Sequence, residues 1–367
     1  MRRICFLLSK NPLEFTTGDT TVSRLVTQLA AESYRIRQVA LTIDPKLYGE
    51  RSGIHGLPKP PPSIRAMAAD LLSELRSPVH SRFDVPELAE YIESSSDDSF
   101  AAEHSYMAES AISAGVAKDN LYVNTHVSEA DVYRGGGKLR GRAIAPLILR
   151  DEIRVARRAH RVACFDKAEL ERYESRGVRD IQFLPLTLRP SSKMKVEKGH
   201  KQLIFVGDQG WPPNRQAIER LEYLWPRIEL RAPGARLKIV GKPDPRGREW
   251  NFSSSVEQAG FVKDLSSELR TSRAMIAPIS VGGGVRVKLL EAISVGLPVV
   301  STPAGWGSLA DVFGVTGCQT DDLIIEECAR HLSDASYAAK VGSGLYDANW
   351  ALWDEGVAAR AVESWLA

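Results

Sequence analysis

Three consecutive glycines, Gly282, Gly283 and Gly284, stand between two apolar runs, and Arg286, Lys288 and Glu291 follow directly. A backbone stripped of side chains, two cations and a carboxylate in so short a stretch have the chemistry to bind a phosphate. Glycine lets the N–H groups of a helix N-terminus approach an anion closely, and the helix dipole favours that anion. A tight structural turn is the alternative. The spacing is not a Walker A loop, because no Gly-Lys-Ser/Thr follows four variable residues, and it lacks the G-x-G-x-x-G of dinucleotide sites. It implies a nucleotide pocket of another kind.

The pattern around the loop supplies the elements that must position it. Ala274 to Ile279 reads as a buried strand, and from Val285 the period changes to that of a buried helix through Leu289, Ile293 and Val295. Gly296 and Pro298 end that helix, and Pro298 to Ser301 reads as the next strand. Earlier in the chain, Arg3 to Ser9 and Ile36 to Ile43 read as strands with a helix from about Val22 to Glu32 between them. "GIHGLPKPPPS" (Gly53 to Ser63) reads as a proline-rich loop, and helices are expected over Ile64 to Leu75 and Pro86 to Ile92. Short apolar stretches recur near Phe100 and at Leu121 to Val123. A second start follows: a strand at Leu203 to Val206, a turn through Gly207 to Pro213, and a helix burying Ile218, Leu221, Trp225 and Ile228. "RLKIVG" and a helix near Leu265 to Ser272 complete the series. Alternating strands and helices imply parallel sheets and an α/β class.

At 367 residues the chain is too long for one ordinary core, so two domains are expected. The polar stretch 188–200 reads as a linker between domains 1–187 and 201–345, with a tail 346–367. Two doubly wound, Rossmann-like domains would face a central cleft, where ligands bind at strand carboxyl ends. A net charge of +2 gives no general affinity for nucleic acid. Cys5, Cys164, Cys318 and Cys328 are scattered, without metal or disulfide spacing, which fits a reducing cytoplasm. No apolar run is long enough to span a membrane.

"FVGDQGWPPNRQAI…PGARLKIVG…GFVKDL…MIAPISVGGGVRVKLLEAISVGLPVVST" resembles the C-terminal domain of retaining GT-B glycosyltransferases of family 4, the group 1 transferases. The resemblance is to the subset carrying G-G-G-x-R-x-K-x-L-E-A and covers about Leu203 to Thr302. A weaker likeness covers "AEHSYMAES", "NTHVSEADVYR" and "RDEIRVARRAHRVACFDKAELERY". It implies a GT-B fold whose C-terminal helix crosses back to the first domain, with Trp350 and Trp353 as candidate anchors. The implied reaction moves a hexose from a nucleotide diphosphate sugar to a hydroxyl of a glycan, lipid-linked or small-molecule glycoside acceptor. The nucleotide sugar is a substrate, and neither a cofactor nor a metal is expected.

Several residue roles follow from the resemblance. Glu291 stands where the second glutamate of the family's E-x7-E motif binds the ribose hydroxyls, a task suited to a carboxylate. The first glutamate of that motif is replaced by Gly283, so we expect the amides of Gly282, Gly283 and Gly284 to face the donor, with Gly283 as the residue of close approach and positive φ. The loop after the second domain's first strand, Gly207 to Asn214, carries no cation, leaving Arg286 and Lys288 to neutralise the departing diphosphate. Phe261 and Val262 mark the base-binding edge. In the first domain, His126 takes the family's histidine position near the reacting sugar. Glu129 and Arg134 accompany it, and Gly18, His104 and Tyr106 are acceptor-side candidates. The leaving phosphate itself would take the acceptor proton.

The basic segment 134–161 has an apolar side of Ile144, Leu147, Ile148, Val155 and Ala159. It is read either as a helix packed on the sheet, the favoured reading, or as a peripheral contact with anionic lipid at the inner face of the membrane. Two competing functions stay open: a GT-B nucleotide-sugar epimerase, and a non-catalytic nucleotide-sugar-binding module.

Overall fold

The computed structural model describes residues 1–61, 76–135 and 139–367 and divides into two compact units. The helix expected over Ile64 to Leu75, and residues 136–138 of the basic segment, lie outside the described residues. The first unit comprises Met1–Leu186, Gly283–Val285 and Ala358–Ala367. Its eight strands are β1 (Arg3–Leu8), β2 (Arg35–Thr42), β3 (Gly49–Arg51), β4 (Ile54–Pro58), β5 (Ser99–Glu103), β6 (Leu121–Asn124), β7 (Arg161–Cys164) and β8 (Ile181–Phe183). They lie in the order β3-β4-β2-β1-β5-β6-β7-β8, and all pairings are parallel except β3 with β4. Central β1 is buried from Ile4 to Leu8, as expected of a parallel sheet covered on both faces.

Two local readings change. The stretch expected to be only a proline-rich loop contributes β4, because Pro58 occupies the strand's last position and its missing N–H interrupts no interior pairing. Gly56 within it has no room for a Cβ, which would overlap the Leu47 carbonyl oxygen. The first helix spans Gly18–Ala30, one turn earlier than expected, since Thr17 and Thr20 form a capping box that starts it.

The basic segment resolves into a helix, Leu139–Arg158, among the described residues. Ile148, Val155 and Ala159 are buried in the sheet-packing core, with Ile144 against it. Arg154 pairs with Glu109 and, at 3.4 Å, with Asp151. The apolar side therefore faces the core, and the lipid reading gains no support from it. No described helix is long and apolar enough to cross a membrane.

The second unit, Thr187–Gly282 and Arg286–Val357, carries a wholly parallel sheet. Its strands are β9 (Gln202–Val206), β10 (Arg236–Val240), β11 (Val256–Gly260), β12 (Ala274–Ala277) and β13 (Val299–Ser301), in the order β11-β10-β9-β12-β13. The helix Pro212–Arg231 buries Ile218, Leu221, Trp225 and Ile228 against it. Residues 188–200 are tied onto this unit: Met194 N donates to the Val295 carbonyl at 2.9 Å, and Tyr346 Oη donates to the Ser191 carbonyl at 2.7 Å.

The chain ends in the helix Val357–Leu366, whose residues from Ala358 belong to the first unit. Its anchor is Trp365, not Trp350 or Trp353. Trp365 is fully buried, stands edge-on to Phe6 (6.4 Å) and Tyr122 (6.2 Å), and donates to the Arg161 carbonyl at 3.3 Å. Trp350 is 52% exposed and Trp353 only partly buried. An indole contributes stability through the apolar surface it covers, and the exposed one covers little. Trp365→Ala should destabilise the first unit by about 3–5 kcal/mol, the range for deleting a buried aromatic, whereas Trp350→Ala should cost less than about 1 kcal/mol. Denaturant unfolding of both variants checks the difference.

Candidate active site

In the second unit, the loops that follow β9, β11, β12 and β13 carry the donor-side candidates at the strand carboxyl ends. Gly207 ends β9 tightly against Asn214, because a Cβ there would lie 2.6 Å from Asn214 Cγ. Asn214 Nδ2 donates to the Asp208 carbonyl at 2.9 Å, and its Oδ1 accepts from Lys288 Nζ. The Lys288 ammonium also stands 5.1 Å from the centre of the Phe205 ring. Lys288 and Glu291 sit three residues apart on the helix Val287–Val295, so they share a face. Burial, then the Arg286 charge, brings Lys288 down to about 7. Burial pushes Glu291 up to about 7, with Lys288 opposing. The Glu291 carboxylate takes no hydrogen bond among the described residues, leaving both oxygens to accept from a ligand.

Arg286 does something different. Buried at the N-cap of that helix, it donates from Nε to the Gly305 carbonyl (3.2 Å) and from Nη2 to the Ala304 carbonyl (2.9 Å). Thr302 Oγ1 accepts from Gly305 N at 2.8 Å and donates to the Ile279 carbonyl; Ser301 Oγ donates to the Ala277 carbonyl at 2.6 Å. The guanidinium thus ties the glycine loop to the turn after β13. A Cβ on Gly282 would meet it at 3.6 Å. Phe261, just beyond β11, is 59% exposed and Val262 partly so.

The glycine requirement falls one residue later than expected. Gly284 has φ +69°, whereas Gly283 is not in the left-handed region, so the positive φ belongs to Gly284. Gly283–Val285 cluster with the first unit, and there a Cβ on Gly284 would overlap the His126 carbonyl oxygen. A Cβ on Gly283 would make only an ordinary 3.4 Å contact with Val127. Gly284→Ala should therefore cost about 1–3 kcal/mol, as misplaced residues at positive φ do, and Gly283→Ala should be close to neutral. Thermal midpoints without ligand decide it.

In the first unit, β5 and β6 each end in a strained histidine. His104 has φ +84° and His126 φ +53°, a region that non-glycine residues adopt rarely. The two rings stack with centroids 4.4 Å apart. A Thr125 carbonyl to Val127 N bond of 2.5 Å closes a tight turn around His126. Behind that loop, Glu152 accepts from Ser128 Oγ (2.9 Å) and Ala130 N (3.3 Å), and burial pushes its carboxyl up to about 7.

Glu103, the last residue of β5, was missed by sequence reasoning. Buried, it accepts from Ser23 Oγ (3.1 Å), Asn124 Nδ2 (3.3 Å) and His126 Nε2. A charge closing the strand Ser-Phe-Ala-Ala-Glu was the available signal. A carboxylate accepts only, so the hydrogen shared with Glu103 is carried by His126 Nε2. Burial, then His126, holds His104 well below the usual histidine range, so it is neutral; its Nδ1 has no partner among the described residues.

Tyr106 stacks on His104 at 4.9 Å, and burial pushes its phenol well up. Gly18 opens the first helix behind the Thr17 cap. Glu129 is half-buried, and burial raises it to about 7 against the pull of Lys10. Arg134 is exposed and pairs with Asp131 at 2.9 Å; no contact among the described residues ties it to His126.

Residues 200–336 match the family model described as Glycosyl transferases group 1. No curated protein matches the chain in sequence. Among solved structures, a sucrose-phosphate synthase from Thermosynechococcus elongatus is 16% identical, with a TM-score of 0.77 over 99% of this chain and 98% of that one. WaaG, a glycosyltransferase involved in lipopolysaccharide biosynthesis, is 14% identical with a TM-score of 0.64 over 98% of both chains. Anabaena HepE in complex with UDP is 12% identical with a TM-score of 0.66 over 99% of both. The chain has the GT-B glycosyltransferase fold.

Proposed function

We propose that the protein is a retaining glycosyltransferase that moves a hexose from a nucleotide diphosphate sugar to a hydroxyl of a glycan or glycosylated acceptor. The observation that carries this reading is the group Gly207, Asn214, Lys288 and Glu291 in the second unit, assembled at the carboxyl ends of a parallel sheet. It offers an ammonium to a diphosphate and an open carboxylate to ribose hydroxyls. Support also comes from the family match, which contains all four residues, and from HepE structures that hold UDP and UDP-glucose.

In this reading the first unit holds the acceptor, and His126, fixed by Glu103, faces the reacting sugar. Arg286 acts by fixing the glycine loop. The leaving phosphate takes the acceptor proton, and charge in the oxocarbenium-like state is stabilised electrostatically. No step needs a divalent ion, so turnover should persist in excess EDTA. Loss on chelation with rescue by manganese or magnesium would refute that step. The enzyme would work in the cytoplasm.

Binding of a UDP- and GDP-sugar panel by titration calorimetry tests the donor site. Glu291→Ala should weaken the preferred donor by about 1.5–3 kcal/mol with folding intact. Affinity should peak near pH 7. Below it Glu291 is protonated and loses the charge and one of the two acceptor oxygens it offers the ribose; above it Lys288 is neutral and meets the diphosphate without charge. Glu291→Gln should remove the acid limb and Lys288→Met the alkaline one. Unchanged donor affinity in both variants would withdraw these residues from the site. Product analysis with and without acceptor separates transfer from epimerisation and from binding alone.

A further inference from the structure

The turn that carries His126 rests on buried carboxyls that the proposed reaction does not use. Glu152, on the helix Leu139–Arg158, is buried, and both its oxygens accept from residues just past His126, Ser128 and Ala130. Ser128 in turn starts the next helix, its carbonyl accepting from Asp131 N at 3.1 Å and Val132 N at 3.2 Å. Glu169, on the helix Lys167–Glu174, is also buried and meets the turn at its other end, where the Thr125 hydroxyl favours its charged form. Thr125 N donates to the Ala163 carbonyl of β7 at 2.9 Å. The two carboxyls therefore bracket His126, one acting on the residue before it and the other on the residues after it.

Little positive charge offsets them. Among the described residues, the cation that acts on both is Arg172, which is already paired with Asp131 at 2.5 Å. Glu129 repels Glu152, and Glu169 repels Glu129; Lys10 and Asp19 act on Glu129 with opposite sign. Asp166 adds to the repulsion on Glu169. Burial, then Glu152, pushes Glu169 up to about 8, and burial, then the same two carboxyls, pushes the Tyr173 phenol well up. Burial, then Glu169, pushes the Cys164 thiol up. Glu169 Oε1 and the Tyr173 hydroxyl are buried without a hydrogen-bond partner among the described residues. Two like carboxyls in so dry a place titrate as a pair, and ionising both brings repulsion that neither feels alone.

The sign of the effect follows. Opening the turn admits water and returns both carboxyls towards their ordinary value of 4.5. Below that value the closed turn carries no penalty. As pH rises the open form gains by ionising first, and the loss to the closed form is complete above about 8.

We propose that Glu152 and Glu169 are positioning residues that share a proton and so hold the His126 turn closed, and that His126 loses its place when both carboxyls ionise. The clamp stands on contacts within the first unit; its consequence for transfer rests on the transferase reading.

Hydrogen–deuterium exchange on the whole chain, read by mass spectrometry on peptides spanning residues 125–131, tests the clamp. Corrected for intrinsic rates, protection should fall at least about tenfold from about pH 5.5 to about 8.5. Glu152→Gln combined with Glu169→Gln should flatten that dependence, and each alone should reduce it. Glutamine keeps the contacts at position 152, since its oxygen can accept from Ala130 N while its amide donates to Ser128 Oγ. Glu174→Gln, exposed on the same helix as Glu169, should leave the dependence unchanged. Protection independent of pH in the unaltered chain, or an undiminished dependence in the double variant, overturns the clamp. If the double variant does not fold, an undiminished dependence in both single variants does so.

Transfer from the preferred donor reads the positioning. Glu152→Ala should lower kcat about tenfold or more at unchanged donor affinity, and Glu152→Gln should restore it. Full turnover in Glu152→Ala would overturn the positioning role. No nucleotide-sugar binding by the unaltered chain would sink the transferase reading, and the exchange experiment would still decide the clamp.

Discussion

A carboxylate with almost no exposure must find donors for its lone pairs or cost the fold several kcal/mol. Glu103 is that carboxylate, 1% exposed at the carboxyl end of a central strand. Its donors come from the first helix (Ser23), from the end of β6 (Asn124) and from the loop beyond it (His126). One buried carboxyl group thus ties the first helix to the end of β6 and the loop beyond it. It also explains how two adjacent strand ends tolerate positive φ at histidine. The strain, of order 1–3 kcal/mol each, persists because the Glu103–His126 hydrogen bond and the ring stack over-determine the backbone. A strained, charge-fixed imidazole beside a neutral, buried one is costly for a sheet to keep, and it is placed where parallel sheets bind their ligands.

Periodicity made much of the frame legible. The strands at β1, β2, β9, β10, β12 and β13 and the long helix after β9 were plain because each carries a cluster of buried apolar residues, as strands of a covered parallel sheet do. The short edge strands were not. β3 and β8 are three residues each, without a fully buried position, and β4 hides behind its closing proline. Their existence depends on pairing, β4 with β2, β3 with β4 and β8 with β7, a tertiary fact that no local pattern carries. Trp365 illustrates the same limit. Three tryptophans lie near the chain end, and only the packing of Phe6 and Tyr122 distinguishes the one that anchors it.

The candidate site divides similarly. The glycine run and the cations after it pointed to a phosphate site that includes Lys288, while Glu291, Asn214 and His126 were reached only through the family resemblance. Side-chain direction was not readable. Arg286 and Lys288 were both expected at the diphosphate, yet they are two apart, and one helix face cannot carry both. The structure sends Arg286 to carbonyls beyond β13 and Lys288 to Asn214. Glu103 escaped notice because a glutamate beside a histidine at a strand end is ordinary until its burial is known.

The two units solve opposite electrostatic problems at equivalent places. In the second unit an ammonium and a carboxylate, both brought near 7 by burial, share one helix face, so a ligand can draw either group into its charged form at little cost. Such a pair suits a ligand with a diphosphate at one end and hydroxyls at the other, because each end stabilises the charge it meets. In the first unit Asp19 is held ionised, His104 is held neutral, and Lys59 stays charged despite burial. Charges set in this way need no proton exchange if a ligand arrives. The glycine loop links these two regimes in the chain. A Cβ on Gly282 would make only an ordinary contact with Arg286, while Gly284, clustered with the first unit, leaves room for the His126 carbonyl. Of the three glycines, Gly284 is therefore the one explained by what lies against it.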